Sequence, residues 1–376
     1  MKNLLSLAAL AAATLALGPA HAQAPGVTAT TIIIGQSAPL TGSNAEIGKD
    51  IRDGALAYFR KVNASGGVHG RQVELISLDD KNDRKTAGAN ANKLVNEQNV
   101  VALFGFASTT LSLDAMPVVK EKRVPFFAPF TGADAIHKQN QFVFVTRASY
   151  ADELTKILEH WQGFGADRVT VMHYDDEIGN QNYATVEKIM KAAGKQPVGV
   201  KFERNGEVTQ AQIAAIVKSD PQVIVSTTLY GTTAKALKML KAQNHPYNMT
   251  ALSFTGPSQL AKAAGADGLG VSVSGVVPPP AKHTVPVIKE CGDAVKAAGI
   301  AELNYTNLES CISAKVLVEA MRRAGRDVNR ESLYKALNGL GQYDAGGYTV
   351  DFEPNVRHGS HYVELAVISK GGAFKF

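Results

Sequence analysis

The feature that most constrains the fold is an alternation of short β-branched runs with amphipathic helical segments, which occurs twice along the chain. The first series begins with TIIIG, EIGKDIRDGALAYFRKVN and QVELISL. The second begins with LTKILEHWQG and RVTVMHY. Strand, helix and strand at this spacing form a crossover unit, and crossover units make neighbouring strands parallel. The sequence therefore predicts two similar doubly wound α/β lobes.

The joints between the two series predict how the lobes are connected. VTRASYAD separates the series, VVPPPAKH follows the second, and two long helical patterns come after the prolines. If these helices pack on the first lobe and the last strand returns to the second, the chain crosses three times. Lobe 1 is then 25–147 plus 279–345, and lobe 2 is 148–278 plus 346–376. Three parallel crossings act as a hinge.

The first 24 residues have the pattern of a secretory signal peptide. Lys2 precedes an apolar run over 4–17, and small residues follow. The run is shorter than the roughly 20 residues that a membrane span needs. We expect cleavage near Ala22 or Ala24 and a free, periplasmic protein.

The two cysteines of the chain, Cys291 and Cys311, would meet an oxidising compartment after export. Each lies in a helical pattern, so one disulfide between neighbouring helices and two buried thiols are both open. The spacing does not decide, because disulfide geometry depends on Cα positions.

Charge and motifs exclude several classes of protein. The net charge is +5, but the basic residues are scattered along the sequence and do not alternate with aromatic ones. We therefore expect no nucleic-acid partner. GPSQL lacks the frame of a nucleophile elbow. The histidines show no metal-protease spacing, and His358 with His361 is interpreted as exposed imidazoles of a turn. We expect no catalytic group, cofactor or metal.

Five stretches, in order, resemble the periplasmic leucine/isoleucine/valine-binding proteins, the amino-acid and amide receptors of ABC importers. They are IIIGQSAPLTG, ALAYFRKVNASGGVHGRQVELISLDD, FGFASTT, VPFFAPFTGA and ALSFTGPSQL. The resemblance implies a type I periplasmic binding protein, whose two lobes, joined by a three-strand hinge, close on a small solute. It also implies a monomeric receptor that docks on an ABC permease.

The segment FGFASTT is the first expected contact with the solute. Ser108, Thr109 and Thr110 lie between a strand and a helix, where unpaired N–H groups can bind an anion. The alternative is that one hydroxyl caps the helix and the others face water. Thr109 matches the carboxylate-binding serine of the family.

The segment APFTGA is the second expected contact in the first lobe. Phe130 and Thr131 match the family position whose carbonyl receives the ligand's ammonium. Gly132 stands where relatives carry threonine, so its N–H remains and the hydroxyl is absent. The alternative is an ordinary strand end.

Two residues of the second lobe are implied by the resemblance. Tyr230 matches an aromatic ligand neighbour, with a buried core tyrosine as the alternative. Asp152 matches an acid that can face the ammonium, with a helix cap as the alternative.

The departures from the family carry the ligand preference. Ser258 stands where amino-acid receptors place a glutamate for the ammonium, and Ile47 and Ile178 replace two tyrosines. A buried cation needs compensating charge, so Asp152, Glu46 or an acid of YDDEIG would have to replace that glutamate. We favour a hydrophobic or branched-chain amino acid. An aromatic or oxo-carboxylic acid, an amide or polyol, and a sensor docking on a chemoreceptor stay open.

Overall fold

The computed structural model describes residues 24–42, 44–137, 141–204, 206–245, 247–353 and 357–376. The expected signal peptide lies outside these ranges except for Ala24. Among the helices of the described residues, none has both the length and the apolar character needed to cross a membrane.

The described residues form twelve α-helices, three short 3-10 helices (Ser253–Thr255, Gly265–Gly268 and Lys370–Gly372) and fourteen strands. The helices are α1 Ala45–Ala64, α2 Arg84–Asn96, α3 Thr109–Lys122, α4 Asp134–His137, α5 Tyr150–Gly163, α6 Glu177–Ala192, α7 Gln210–Lys218, α8 Tyr230–Ala242, α9 Pro257–Ala264, α10 Pro286–Ala297, α11 Tyr305–Arg323 and α12 Arg330–Asn338. The strands are β1 Thr31–Ala38, β2 Gln72–Asp79, β3 Ala102–Phe104, β4 Phe126–Phe127, β5 Val143–Phe144, β6 Val169–Tyr174, β7 Val198–Phe202, β8 Val223–Thr227, β9 Asn248–Ala251, β10 Ser272–Gly275, β11 Gly341–Asp344, β12 Thr349–Phe352, β13 Glu364–Ile368 and β14 Phe374–Lys375.

The two main sheets have the same strand order, which confirms the prediction of two similar α/β lobes. The first sheet is parallel, in the order β2-β1-β3-β4-β5. The second contains β7-β6-β8-β9-β10, also parallel, and the antiparallel strands β13 and β14 extend its edge. Each set of five therefore follows the order 2-1-3-4-5 of a doubly wound fold.

Helices α10 and α11 pack on the first lobe, where their buried side chains share one core with β1 and α1. A Cβ at Gly54 of α1 would lie 2.1 Å from the backbone oxygen of Asn307 in α11, so only glycine permits this close approach. A disulfide joins Cys291 of α10 to Cys311 of α11, with 6.0 Å between their Cα atoms. This pairing settles the choice that the sequence left open.

The third crossing between the lobes begins later than the predicted boundary at residue 345. Strands β11 and β12 form an antiparallel hairpin, and the chain leaves lobe 1 only after Phe352. The reason is aromatic packing, because the Phe352 ring lies 6.2 Å from Phe127 and 5.5 Å from Phe144 in the first core. Residues 346–352 therefore belong with lobe 1.

Hydrogen bonds connect the three crossings. The hydroxyl of Tyr348 donates to the carbonyl oxygens of Thr146 and Val276, at 2.8 and 3.1 Å. Val145 of the first crossing and His358 of the third form a short parallel bridge. The hinge is thus one bonded unit rather than three separate linkers.

Candidate functional site

One cleft lies where the two sheets reverse their strand order. Ligands of doubly wound sheets bind at this switch point, outside the carboxyl ends of the strands. In lobe 1 it lies between β1 and β3, and in lobe 2 between β6 and β8. Residues from both lobes line the cleft: Ser108, Thr109, Thr110, Tyr150, Tyr174, Ile178, Gly179, Asn182, Arg204, Thr227 and Phe254.

The lobe 1 wall of the cleft is the start of α3, which we call the anion cradle, residues 108–110. Ser108 is the N-cap, and its Oγ accepts a hydrogen bond of 3.3 Å from the Leu111 N–H. The hydroxyl oxygens of Ser108 and Thr110 are also 3.3 Å apart. The first N–H groups of a helix have no partner within the helix, so this end of α3 can donate to an anion.

Thr109 is held in place by a second hydroxyl behind the cradle. Its Oγ1 lies 2.6 Å from Oγ1 of Thr131, and either oxygen can donate. Thr131 also donates to the Tyr150 hydroxyl at 3.3 Å and accepts from the Ala133 N–H at 3.1 Å. If Thr131 turns its hydrogen toward Thr109, the hydrogen of Thr109 is released for a ligand, and only the long bond to Tyr150 is lost.

The lobe 2 wall carries a cation that the sequence analysis missed. The Arg204 guanidinium lies 4.2 Å from the centre of the Tyr174 ring, and its Nη2 is 2.7 Å from Oδ2 of Asp176. Asp176 also caps α6 through a 2.8 Å bond from the Gly179 N–H. Among the described residues that line the cleft, none is acidic.

Three of the predicted site residues form an apolar cluster beside the polar cleft. Ile47 and Phe130 of lobe 1 pack with Ile51, and Leu229 and Tyr230 of lobe 2 pack against them. Burial raises the pKa of the Tyr230 phenol, as expected for a ring partly enclosed by apolar neighbours. The cluster therefore brings apolar side chains of both lobes together.

Thr131 and Gly132 lie behind the cleft and do not line it. The Gly132 carbonyl accepts a 2.9 Å bond from the Tyr150 N–H. A Cβ at Gly132 would lie 2.8 Å from both the Ala148 carbonyl oxygen and the Tyr150 nitrogen. A threonine side chain does not fit here, because the backbone of Ala148 and Tyr150 occupies its space.

Asp152 and Ser258 also lie away from the cleft lining. Asp152 completes a capping box at the start of α5, where its carboxylate accepts from the N–H and hydroxyl of Ser149 at 2.9 and 2.8 Å. Burial opposes ionisation, but these bonds and one with His361 hold the pKa of Asp152 below its usual value. Ser258 lines a separate groove between α1 and α9. The structure places Asp152 in the cap that the sequence analysis gave as its alternative.

A family model of periplasmic binding proteins matches residues 31–373. The chain belongs to the periplasmic binding protein family. A periplasmic substrate-binding protein of known structure from Ralstonia solanacearum is 32% identical, with a TM-score of 0.86 over 91% of this chain and 99% of that one. Leu/Ile/Val-binding protein homolog 7 of Brucella abortus is 25% identical over 93% of this chain and 90% of its own length. The resemblance to leucine/isoleucine/valine-binding proteins is thus confirmed.

Other curated relatives match over a shorter stretch. An amino acid binding protein of Pseudomonas aeruginosa is 32% identical over 98 residues, 26% of each chain. The matched region therefore covers about a quarter of that relative's length.

This periplasmic binding protein has a buried ion cluster at its hinge, formed by Arg147, Glu153 and Glu309. The Arg147 side chain is 1% exposed, and its two terminal nitrogens lie 3.5 and 3.4 Å from Glu153 and Glu309. Its guanidinium also lies 4.8 Å from the centre of the Phe130 ring. Burial raises the pKa of Glu309 to about 7, although Arg147 opposes the rise. The cluster connects lobe 1, the first crossing and lobe 2.

A second polar contact joins the lobes near the apolar cluster. Asp50 of α1 accepts from the side-chain amides of Gln259 in α9 and Asn304, at 2.7 and 2.9 Å. Lys262 of α9 lies 3.0 Å from Glu46 of α1. Burial raises the pKa of Asp50 to about 6, although the bond from Asn304 opposes it.

Proposed function

We propose that this chain is an exported receptor that captures a small amphipathic carboxylate by lobe closure and delivers it to the permease of an ABC importer. The preferred ligand is a hydrophobic or branched-chain amino acid. The observation that carries the proposal is the composition of the cleft, in which the anion cradle of one lobe meets Arg204 of the other. The mechanism is binding, with no covalent step.

Binding of the ligand's carboxylate is supported by hydrogen-bond donors from both walls of the cleft. The cradle offers helix N–H groups and the hydroxyls of Ser108, Thr109 and Thr110. Arg204 adds a guanidinium, the side chain best suited to a planar carboxylate. Hydrogen bonds to a charged group are worth about 1.5 to 3 kcal/mol each, so even two of them dominate the affinity of a small solute.

Binding of the ligand's apolar part is supported by apolar side chains between the lobes. Ile178 and Phe254 line the cleft, and the cluster of Ile47, Phe130 and Tyr230 lies beside it. Burying a leucine-sized side chain contributes about 1.5 to 3 kcal/mol. An aliphatic or aromatic solute gains this term, whereas a polyol does not.

Lobe closure is supported by the tightness of the cleft. Its cavity measures about 20 Å³, which is room for about one water. A solute of amino-acid size can enter only if the two walls separate, and rotation within the three crossings provides that separation. Closure then presents a joint surface of both lobes to a permease.

Export is supported by the sequence and by membership of the family. Proteins of this family are exported to the periplasm, and the first 24 residues have the pattern of a secretory signal peptide. We place its cleavage near Ala22 or Ala24.

The ammonium of an amino acid has acceptors in the cleft other than an acid. Thr227 and Asn182 provide side-chain oxygens, and the rings of Tyr150 and Phe254, with centroids 5.4 Å apart, provide aromatic faces. We expect these groups to accept from the ammonium in place of the glutamate, whose position Ser258 occupies in this sequence.

A second candidate ligand is a carboxylate that carries no amine, either an aromatic acid or an oxo-acid. One observation favours it, namely that no acidic side chain lines the cleft among the described residues while Arg204 does. Such a ligand would avoid placing an ammonium near a guanidinium.

A matched set of three ligands tests both candidates. Calorimetric titration of the purified mature protein would use leucine, its oxo-acid 4-methyl-2-oxopentanoate and leucinamide, after a thermal-shift screen of other amino acids and aromatic acids. Binding of leucine that is much tighter than binding of leucinamide supports the preferred ligand. Binding of the oxo-acid alone supports the second candidate. Binding of leucinamide but of neither acid would overturn the carboxylate proposal.

A further inference from the structure

We propose that Asp152, His358 and His361 form a binding site for a divalent transition-metal ion, with zinc as the reference ion. We call these three residues the histidine cluster. It lies at the hinge, outside the solute cleft, and the proposal is independent of the solute.

The donor atoms of the histidine cluster already converge. Nδ1 of His361 lies 3.0 Å from Oδ2 of Asp152, and Nε2 of His358 lies 3.9 Å from the same oxygen. One donor atom of each residue lies within 4.8 Å of the others. Bonds of 2.0 to 2.2 Å in a tetrahedral zinc site separate two donors by about 3.3 Å. Side-chain rotations that move each donor atom by less than about 1 Å would bring all three donors to the distances of one tetrahedral ion.

The donor types select the class of ion. Two imidazoles and one carboxylate suit zinc, nickel or copper, whereas magnesium and calcium prefer oxygen ligands alone. Three protein ligands leave a fourth position for water or another ligand, as in zinc sites that stay open on one side.

The residues around the cluster hold its members in position. Ser149 donates two hydrogen bonds to the Asp152 carboxylate, which fixes its direction. The backbone of the third crossing is fixed next to His358, because the Gly359 N–H donates to the Val145 carbonyl at 2.8 Å. Hydrogen bonds of this kind orient metal ligands in known sites.

An ion can reach the cluster from solvent. The His361 side chain is 71% exposed, while that of His358 is 12% exposed and lies inward. A cavity of about 520 Å³ opens beside both imidazoles and is also lined by Asp351 and Glu353, whose carboxylates attract cations. The bound ion would connect the third crossing to α5, the first helix of lobe 2.

From the sequence alone, the two histidines are expected to be exposed imidazoles of a turn. The interpretation changes because the fold brings Asp152 next to them, although it is more than 200 residues away in the chain. A His-x-x-His spacing alone does not indicate a metal site, because the third ligand lies far away in the sequence.

Zinc titration of the untagged, chelator-treated mature protein tests the proposal. We expect one equivalent of zinc to bind, with a rise in Tm that saturates at the same ratio, and cobalt to give the intense visible absorption of a tetrahedral site. His361→Ala should weaken zinc binding by about tenfold or more, since loss of even an orienting partner costs about 10- to 100-fold. Because His361 is exposed, this variant should fold, and circular dichroism with urea unfolding checks that it does.

Two further variants complete the test. Asp152→Asn keeps a hydrogen-bonding side chain in the cap but loses the charged ligand, so zinc binding should weaken again. His283→Ala removes an exposed histidine of the second crossing and should leave zinc binding unchanged. The proposal is overturned if the wild type binds no zinc in the stoichiometric range, or if His358→Ala/His361→Ala binds zinc as tightly as the wild type.

Discussion

Arg204 donates from both Nε and Nη2 to one carboxylate oxygen of Asp176, each at 2.7 Å. The pair lies at the edge of the cleft, with the guanidinium on the Tyr174 ring. The two residues carry opposite charges, so they should act in opposite directions on an anionic solute. This contrast gives two predictions.

Arg204→Gln should weaken carboxylate binding by about 10- to 100-fold, because a charged hydrogen bond contributes about 1.5 to 3 kcal/mol. Calorimetry with the ligand found in the screen measures this loss. Arg168→Gln is the matched control, since Arg168 forms an exposed pair with Asp220 in the same lobe. Equal affinities of Arg204→Gln and the wild type would remove Arg204 from the site.

Asp176→Asn should tighten binding of an amine-free carboxylate severalfold, by about 0.5 to 1 kcal/mol, because the guanidinium loses its competing partner. Asparagine is a good N-cap, so α6 should stay capped. The same titration measures the gain. For an amino acid whose ammonium lies near Asp176, the variant should instead weaken binding, so its sign reports whether the ligand's amine lies there. A neutral result for both ligand types would contradict this account of the pair.

The buried ion cluster predicts an asymmetric effect on stability. Arg147→Met leaves Glu153 and Glu309 without their cation and should lower the free energy of unfolding by about 3 to 5 kcal/mol. Glu309→Gln should cost about 1 kcal/mol or less near pH 7, because the raised pKa already leaves this carboxyl half protonated. Urea unfolding measures both. A smaller loss for Arg147→Met than for Glu309→Gln would contradict the assignment of charges.

Asp50 predicts a pH dependence of stability. Burial raises the pKa of Asp50 from 3.8 to about 6 in the folded state, so the fold favours its protonated form. The stabilisation is complete below about pH 4 and is lost as the pH rises through about 6, by up to about 3 kcal/mol. Asp50→Asn keeps an oxygen that can accept from Gln259 and Asn304 but does not titrate.

The measurement for Asp50 is the difference in unfolding free energy between the wild type and Asp50→Asn across pH 4 to 7. Taking the difference removes the contribution of Asp80, because both proteins contain this residue and its pKa is also raised to about 6. Asp293→Asn, at an exposed pair with Lys289, is the control and should show no such trend. A wild type that gains stability over Asp50→Asn as the pH rises would have the opposite sign and would contradict the prediction.

Much of the fold could be predicted because its signals are local. The β-branched runs and amphipathic helices each carry their own periodicity, so the alternation alone predicted two similar lobes. The hairpin of β11 and β12 was missed because its assignment depends on Phe352 packing with Phe127 and Phe144, which lie about 200 residues earlier.

The sequence could indicate the residues of the candidate site only where they lie at the end of a strand or the start of a helix. Ser108, Thr109, Thr110 and Ile178 line the cleft, whereas Arg204 lay at the end of a strand with no pattern to mark it. Gly132 could be seen to differ from relatives, but not that Tyr150 fills the space. Contacts that depend on which loops meet across the cleft cannot be read from spacing.

The most direct test of the central claim is a cycle between Thr109 and the carboxylate of the ligand. Calorimetry would compare the wild type and Thr109→Val, each with the ligand and with its uncharged amide. Thr185→Val serves as the control, because the Thr185 hydroxyl donates to the Gln181 carbonyl within α6 and does not line the cleft. We predict that Thr109→Val costs about 1 to 3 kcal/mol with the carboxylate and little with the amide. Equal losses with both ligands, or no loss with either, would contradict a carboxylate bound at the cradle.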